Sequence, residues 1–431
     1  MINYKLIFSM IGLMLIIHPM TLSSQTGKLK NVELTMSGSD PNLIDAKYNI
    51  DLAYNHETTK NMASMWGWRG VVYAMIAASN DNEVKSLNTD NSAALISGQS
   101  FVNYFTFPEN EQKKFSALDY ASAYVVSAII DCFNEGVSAS MDKGKFSTVK
   151  QYMDIVETLL VYDKEEKLKG KISKEKALLI TWQSAYNDSL VDQEMIYLQK
   201  LIDIPNYMNS YVFVRMSEIY MNQKNYEKAV SYLEQGRTKI PSKASEFLNQ
   251  QINIEIERNN IESLIVKFSE GIQNDPENKE YYFSRGVAYH QLKSEERNKQ
   301  ELAIKNGENP SKEKYYFNMG LKDYAQAIKL DPGYTDALNN EAILLLDSAD
   351  YIYKLRTRVS SSEYSKYDKL SINLYQQVVQ KLVALYDMNY KKDQDLVELL
   401  KSIKSIYAKL NDEDNRLKYD TLYKQEKKKL D

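Results

Sequence analysis

Apolar side chains recur at three- and four-residue intervals through most of the chain, the spacing that gathers them on one face of an α-helix. In "YVFVRMSEIYMNQKNYEKAVSYLEQGRTKIP", Tyr211 to Pro241, two such stripes flank the polar stretch "MNQKN", which predicts a helical hairpin. With Ser210 as position 1 of a 34-residue unit, Phe213, Met216, Tyr220 and Leu233 fall at 4, 7, 11 and 24. Ser217, Ala229 and Gly236 fall at 8, 20 and 27, and Pro241 at 32. Small residues let two antiparallel helices approach, large ones fill the space between them, and proline stops the second helix.

The register returns. "YFSRGVAY" puts Tyr282, Arg285, Gly286 and Tyr289 at 4, 7, 8 and 11, and "YAQAIKLDP" puts Tyr324, Ala327 and Pro332 at 24, 27 and 32. Between them lies a charged insert near 291–310, which predicts a loop or an extended helix leaving the stack. "FSEGIQNDP" supplies Phe268, Gly271 and Pro276 in phase, while the helix near "FLNQQINIEI" reads as degenerate. "MWGWRGVVY" gives Trp66, Arg69, Gly70 and Tyr73 at 4, 7, 8 and 11. Weaker copies carry Gly136, Phe146 and Met153; Trp182 and Tyr186; Leu338, Ala342 and Leu345; and Leu400, Ile403 and Tyr407. This is the tetratricopeptide pattern. A lone hairpin cannot cover its apolar surface, so neighbours must stack. The expected fold is all-α, a right-handed solenoid of antiparallel helix pairs with first helices on the inner face.

Two stretches interrupt the array. Asn80 to Asn110 reads as a crossing loop with a short helix, and Arg356 to Lys369 as a polar break. They suggest a flexible N-terminus over 25–40, divergent helical repeats over 41–205 and a C-terminal array over 206–427. Ahead of these, Lys5, the apolar run Leu6 to Ile17, Pro19 and small residues at Thr21, Ser23 and Ser24 form a secretory signal pattern over 1–24, with cleavage expected near Ser24. An exported, periplasmic or envelope-associated protein is expected.

Composition narrows the chemistry. Among 431 residues Gly and Pro number only 15 and 8, which favours helices. The net charge of -4 argues against a general nucleic-acid binder. Cys132 is the only cysteine, so no internal disulfide forms, and its apolar context "YVVSAIIDCF" reads as core. The three histidines, His18, His56 and His290, form no zinc motif, and no phosphate-cradling glycine loop or GxSxG elbow occurs. Glu165–Glu166 and "NDEDN" (Asn411 to Asn415) read as solvated surface, although a hydrolase using such carboxylate pairs in the N-terminal half stands as one alternative. No metal or cofactor is expected, and no catalytic residue.

"AYNHETTKN" with Trp66 to Tyr73, the ending "LLKSIKSIYAKLNDEDNRLKY" and a processing site followed by Gln25 resemble secreted tetratricopeptide proteins of Bacteroidota. The resemblance implies a location outside the cytoplasm and a binding role without a reaction. It also implies that positions 2, 5, 9 and 12 of each first helix face inward. These are Tyr211, Val214, Glu218 and Met221; then Glu280, Phe283, Val287 and His290; then Asp336, Asn339, Ile343 and Leu346. Modules of this kind that grip acidic C-termini carry Lys at 5 and Asn at 9, and this chain does not. The expected site is therefore a mixed apolar–acidic groove for a protein or peptide, formed by Tyr211, Val214, Glu218, Met221, Glu280, Phe283, Val287, His290, Asn339 and Ile343. A second alternative makes the chain a subunit of an envelope secretion or nutrient-uptake complex that associates through the insert.

Overall fold

The computed structural model describes residues 26–38, 40–115, 118–306 and 312–430, with backbone alone at 118–121 and 300–306. The expected signal segment, its cleavage point and His18 lie outside the described residues, as does the end of the insert near 291–310. Among the described residues every regular element is a helix. Most consecutive helices pack side by side through short connections, which makes them antiparallel pairs. The fold is an all-α, tetratricopeptide-type array. It divides into two units, Met1–Ile219 and Tyr220–Asp431. The division falls inside the helix Ser210–Asn222.

The first unit opens with α1 (26–36), α2 (Leu43–Tyr54), α3 (Glu57–Lys60) and α4 (Ala63–Ala78). Where a flexible lead was expected, residues 26–36 form α1, with Leu29 and Val32 buried in the core. After the short α5 (Asn82–Lys85) comes α6 (Ala93–Tyr104), which packs along α4. Here the expected crossing loop is corrected, because α6 is the second helix of the Trp66 pair. The first two turns of its buried face are Ala93, Ala94, Ser97 and Gly98, too small to mark an amphipathic stripe, and only Phe101 and Tyr104 near its end are large. Gly70 admits the ring of Phe101, which would lie 2.8 Å from a Cβ there. The unit continues through α7 (Glu109–Gln112), α8 (Leu118–Ser140), α9 (Phe146–Leu159), a 3-10 turn (Leu160–Tyr162), α10 (Lys174–Asn187), α11 (Val191–Ile202) and α12 (Ser210–Asn222). Helix α8 touches α4, α6, α9 and α10, so this region closes around one large apolar cluster. Cys132 lies inside it, with Sγ 3.2 Å from the Ala94 carbonyl, and burial pushes its thiol pKa far up.

The second unit runs serially through α13 (Tyr226–Lys239), a 3-10 turn (Pro241–Lys243), α14 (Ala244–Glu257), α15 (Ile261–Asn274), α16 (Lys279–Asn306), α17 (Glu313–Leu330), α18 (Thr335–Leu355), α19 (Ser361–Asp387), α20 (Asp393–Lys409) and α21 (Glu413–Leu430). The stretch read as degenerate is a full helix, α14. Its pattern is blurred by buried Gln251 and Glu255; Gln251 bridges Glu234 at 2.7 Å and Lys267 at 2.8 Å. The polar break expected over 356–369 shrinks to 356–360, since Ser361 onward is α19. The described part of the charged insert, 291–306, is helical. It lengthens α16, where Leu292 and Lys293 are buried.

One turn closes several hairpins. Ser189, Lys224, Asn259 and Asn411 adopt positive φ of 58, 57, 51 and 57°. The next amide then donates back to a carbonyl five residues earlier: Leu190 to Ala185, Asn225 to Tyr220, Asn260 to Glu255 and Asp412 to Tyr407. This Schellman closure satisfies carbonyls left open at the helix end. Asn225 and Asn260 then cap α13 and α15 with their side chains. The position-11 tyrosines are packing groups, as their repetition implied. Tyr73 is buried, Tyr220 stacks on Tyr232 at 5.5 Å, Tyr407 stacks on Tyr419 at 5.6 Å, and Tyr289 lies against Tyr315 and Tyr316.

Candidate binding surfaces

In the first unit, α10 and α12 present an aromatic cluster. The Trp182 ring lies 6.0 Å from Tyr186 and 5.7 Å from Tyr211, edge-on to the latter. Beneath them, the nearly buried Glu194 carboxylate accepts from Trp182 Nε1 at 3.2 Å and from Arg215 at 2.8 and 3.2 Å. Arg215 also donates to Glu218 at 3.0 Å and lies over the Tyr186 ring at 5.0 Å. Hydrogen bonds to Glu194 raise the Arg215 pKa, and burial raises that of the Tyr211 phenol. A buried carboxylate is tolerable because the guanidinium pairs with it bidentately. Tyr211 remains 46% exposed and Tyr186 is exposed beside it. The expectation for Val214 needs correcting: it is 8% exposed, and Val212, Phe213 and Val214 are buried in succession, so α12 is covered on more than one side. Glu218 is half-buried, and Met221 sits half-buried on the last turn of α12.

In the second unit, α16 and α18 are neighbours. Glu280 accepts the Tyr334 hydroxyl at 2.6 Å, and Phe283 is half-buried with Tyr334 at 5.2 Å and Tyr324 at 6.2 Å. One repeat on, Asp336 accepts the Tyr390 hydroxyl at 2.8 Å. Both pairs span 54 residues and tie the start of one first helix to the approach to the next. Val287 is 40% exposed, Ile343 46% and Ile256 of α14 57%, while Asn339 and His290 are half-buried. Burial, then the neighbouring Lys293, lowers the His290 pKa and favours neutral imidazole. Beyond it, fully buried Lys293 pairs with Asp347, and Arg297 bridges Asp347 at 2.8 Å, Glu313 at 2.6 Å and the Tyr351 ring at 4.3 Å.

Trp182, Tyr186 and Ile256 escaped the sequence reading of the site. Trp182 and Tyr186 were read at packing positions 7 and 11, and Ile256 lay in the stretch taken as degenerate. Of the acidic groups considered for chemistry, Glu165 pairs with Lys167 at 2.7 Å and Glu166 with Lys169 at 2.6 Å, both exposed. Asp412 holds Asn415, and Glu413 holds Arg416. Each of these carboxylates is engaged by a nearby cation or amide. No set of three His, Cys, Asp or Glu among the described residues is placed to hold a metal ion. No helix among them is long and apolar enough to cross a membrane.

Neither the protein-family models nor the curated proteins give a match. Solved structures do. The human IFIT1 dimer with m7Gppp-AAAA is 12% identical over 89% of this chain and 86% of its own, with a TM-score of 0.25. The human IFIT1 dimer with PPP-AAAA is 11% identical over 93% and 94%, with a TM-score of 0.23. Yeast Tom70 is 13% identical over 95% and 79%, with a TM-score of 0.24. Superpositions this loose carry no argument about partners. The helix-pair assignment rests on the packing and turns described above.

Proposed function

We propose that this chain is a non-catalytic scaffold of the cell envelope that holds a protein or peptide on the exposed faces of its first helices. The observation that carries the reading is the pair Tyr186 and Tyr211, kept accessible on Trp182 by the Arg215–Glu194 bridge. Rigid aromatic groups of this kind supply binding energy at low entropic cost, and a surrounding polar rim sets register. Val287 and Ile343 give the second unit its own apolar positions beside tyrosine-bound carboxylates. The envelope location is supported by the signal pattern around Lys5 and Leu6 to Ile17. Association through residues 291–310 is less favoured, because Leu292, Lys293 and Arg297 are spent inside the fold.

Affinity capture from the native envelope tests this. Tyr211→Asp should reduce partner recovery about tenfold or more, the scale of a hot-spot residue, with helicity by circular dichroism unchanged. Undiminished recovery from a Tyr186→Asp, Tyr211→Asp double variant would overturn the reading. Val214 is unsuitable for the same test, since a charge there would be buried.

A further inference from the structure

The first unit holds a cavity of about 360 Å³ that the surfaces above do not use. Its walls are Tyr104, Phe105, Val125, Val126 and Tyr162, drawn from the end of α6 and its C-cap, from α8 and from the 3-10 turn after α9. Phe105 and Tyr162 stack with centroids 3.5 Å apart and planes 5° from parallel, so one wall is flat and aromatic. Its volume is in the range of small-molecule sites, roughly 300–1,000 Å³, and a largely apolar lining with few polar groups is their usual character. Tyr104 is spoken for: its hydroxyl donates to the Gln112 carbonyl at 3.1 Å.

The rim is charged, and most of it is already satisfied. Lys113 pairs with Glu109 at 2.9 Å and Lys167 with Glu165 at 2.7 Å. Asp163 accepts the backbone amides of Lys167 and Leu168 at 3.0 and 2.9 Å. Lys164 is exposed at the mouth and makes no ion pair within 4 Å among the described residues, acting on Glu109 only at longer range. A ligand that fits both parts has a flat apolar body for the ring wall and one acidic group at the entrance.

We infer that this cavity is a binding site for a small flat aromatic monoacid, held between the Phe105–Tyr162 wall and Val125–Val126, with its anionic group toward Lys164. The site is separate from the Tyr186–Tyr211 face and does not depend on the scaffold reading.

Calorimetric titration of the full chain with naphthoate tests it, with naphthamide and decanoate as comparators. The expected result is saturable one-site binding, tighter for naphthoate than for the neutral amide or the flexible acid. Lys164→Glu, at an exposed position, should weaken naphthoate about fivefold, the order of one exposed charge interaction, and leave naphthamide unchanged. Val126→Trp, which fills the cavity, should abolish binding of both. Absence of saturable binding to the native chain overturns the proposal. So do equal affinities for naphthoate and decanoate, or naphthoate affinity unaltered by Lys164→Glu.

Discussion

The α4–α9 region and the α14–α18 region are built from the same helix pairs yet cohere differently. In the first, α4, α6, α8 and α9 touch in several combinations around one cluster that includes Met65, Phe101, Cys132 and Val156. In the second, helices meet mainly their chain neighbours, and among the described residues two apolar clusters are small, Leu248, Ile252 and Phe268 in one and Ile261, Ala288 and Leu292 in another, while α18 joins a larger one with α19–α21. Ion pairs reinforce those thin joints. Arg285 is bidentate to buried Asp323 at 2.8 Å through each oxygen, and Lys293 and Arg297 converge on Asp347. Apolar burial is non-directional and tolerates imperfect fit. A buried ion pair specifies one geometry and is costly to break on one side. The first region should therefore be robust as a mass, and the second exact but brittle.

Single substitutions break this contrast most sharply. Asp323→Ala strands a largely buried guanidinium and should cost about 3–5 kcal/mol. Phe101→Ala, in the mass of the first region, should cost a similar 3–5 kcal/mol. Hydrogen exchange tells them apart: Asp323→Ala should release α16 and α17 while α4–α9 stay protected, whereas Phe101→Ala should reverse that map. Equal loss across both regions under either variant would erase the distinction.

A smaller effect is expected at Gly286. A Cβ there would lie 2.8 Å from the Tyr324 ring, between α16 and α17. Gly286→Ala should cost about 1–3 kcal/mol by overpacking, measured as a lower urea midpoint with an unchanged slope. A midpoint matching the native chain would show that the ring shifts freely.

Acid supplies the mildest probe. His290 has a folded-state pKa below its ordinary 6.5, so the unfolded chain takes up the proton first. The stability this neutral imidazole contributes is complete above that ordinary value and is lost as pH falls through the folded one. It is faced by Lys293 and Arg297 on its own helix and by Asp347 on α18. Asp347 is likewise lowered, against its own burial, by Lys293, so its contribution persists until pH drops below the carboxylate range. Between about pH 7 and pH 5 the urea midpoint of the native chain should decline, and His290→Gln should flatten that decline. An unchanged slope in the variant would remove His290 from the account.

Local rules made much of the fold readable. The small residues at Gly70 and Gly286, the tyrosines at Tyr73 and Tyr289 and the prolines at Pro241, Pro276 and Pro332 each act within one hairpin, so one stretch of chain carries their meaning. What stayed hidden depends on distant partners. Lys293 and Arg297 look like solvent-facing charges until Asp347 and Glu313 are brought beside them. Helix α6 hides part of its packing face in small residues such as Gly98, whose closeness to Cys132 and Ile155 shows only once α8 and α9 are brought beside it. At the site, repeat phase put Tyr211, Val287 and Ile343 on the inner face, and all three are exposed. It failed at Val214, because phase describes one pair and ignores what covers α12 from elsewhere.

The hydroxyls of Tyr334 and Tyr390 fasten successive first helices at their beginnings, leaving the opposite ends of those hairpins outside the fastening. Extra turns can accumulate at the far ends without altering the spacing at the near ones. Such a chain can change its reach by editing a few codons at a hairpin tip while its pitch stays constant. That separation makes the exposed turn after Arg356, which is itself held by Asp368, a natural place to graft foreign sequence.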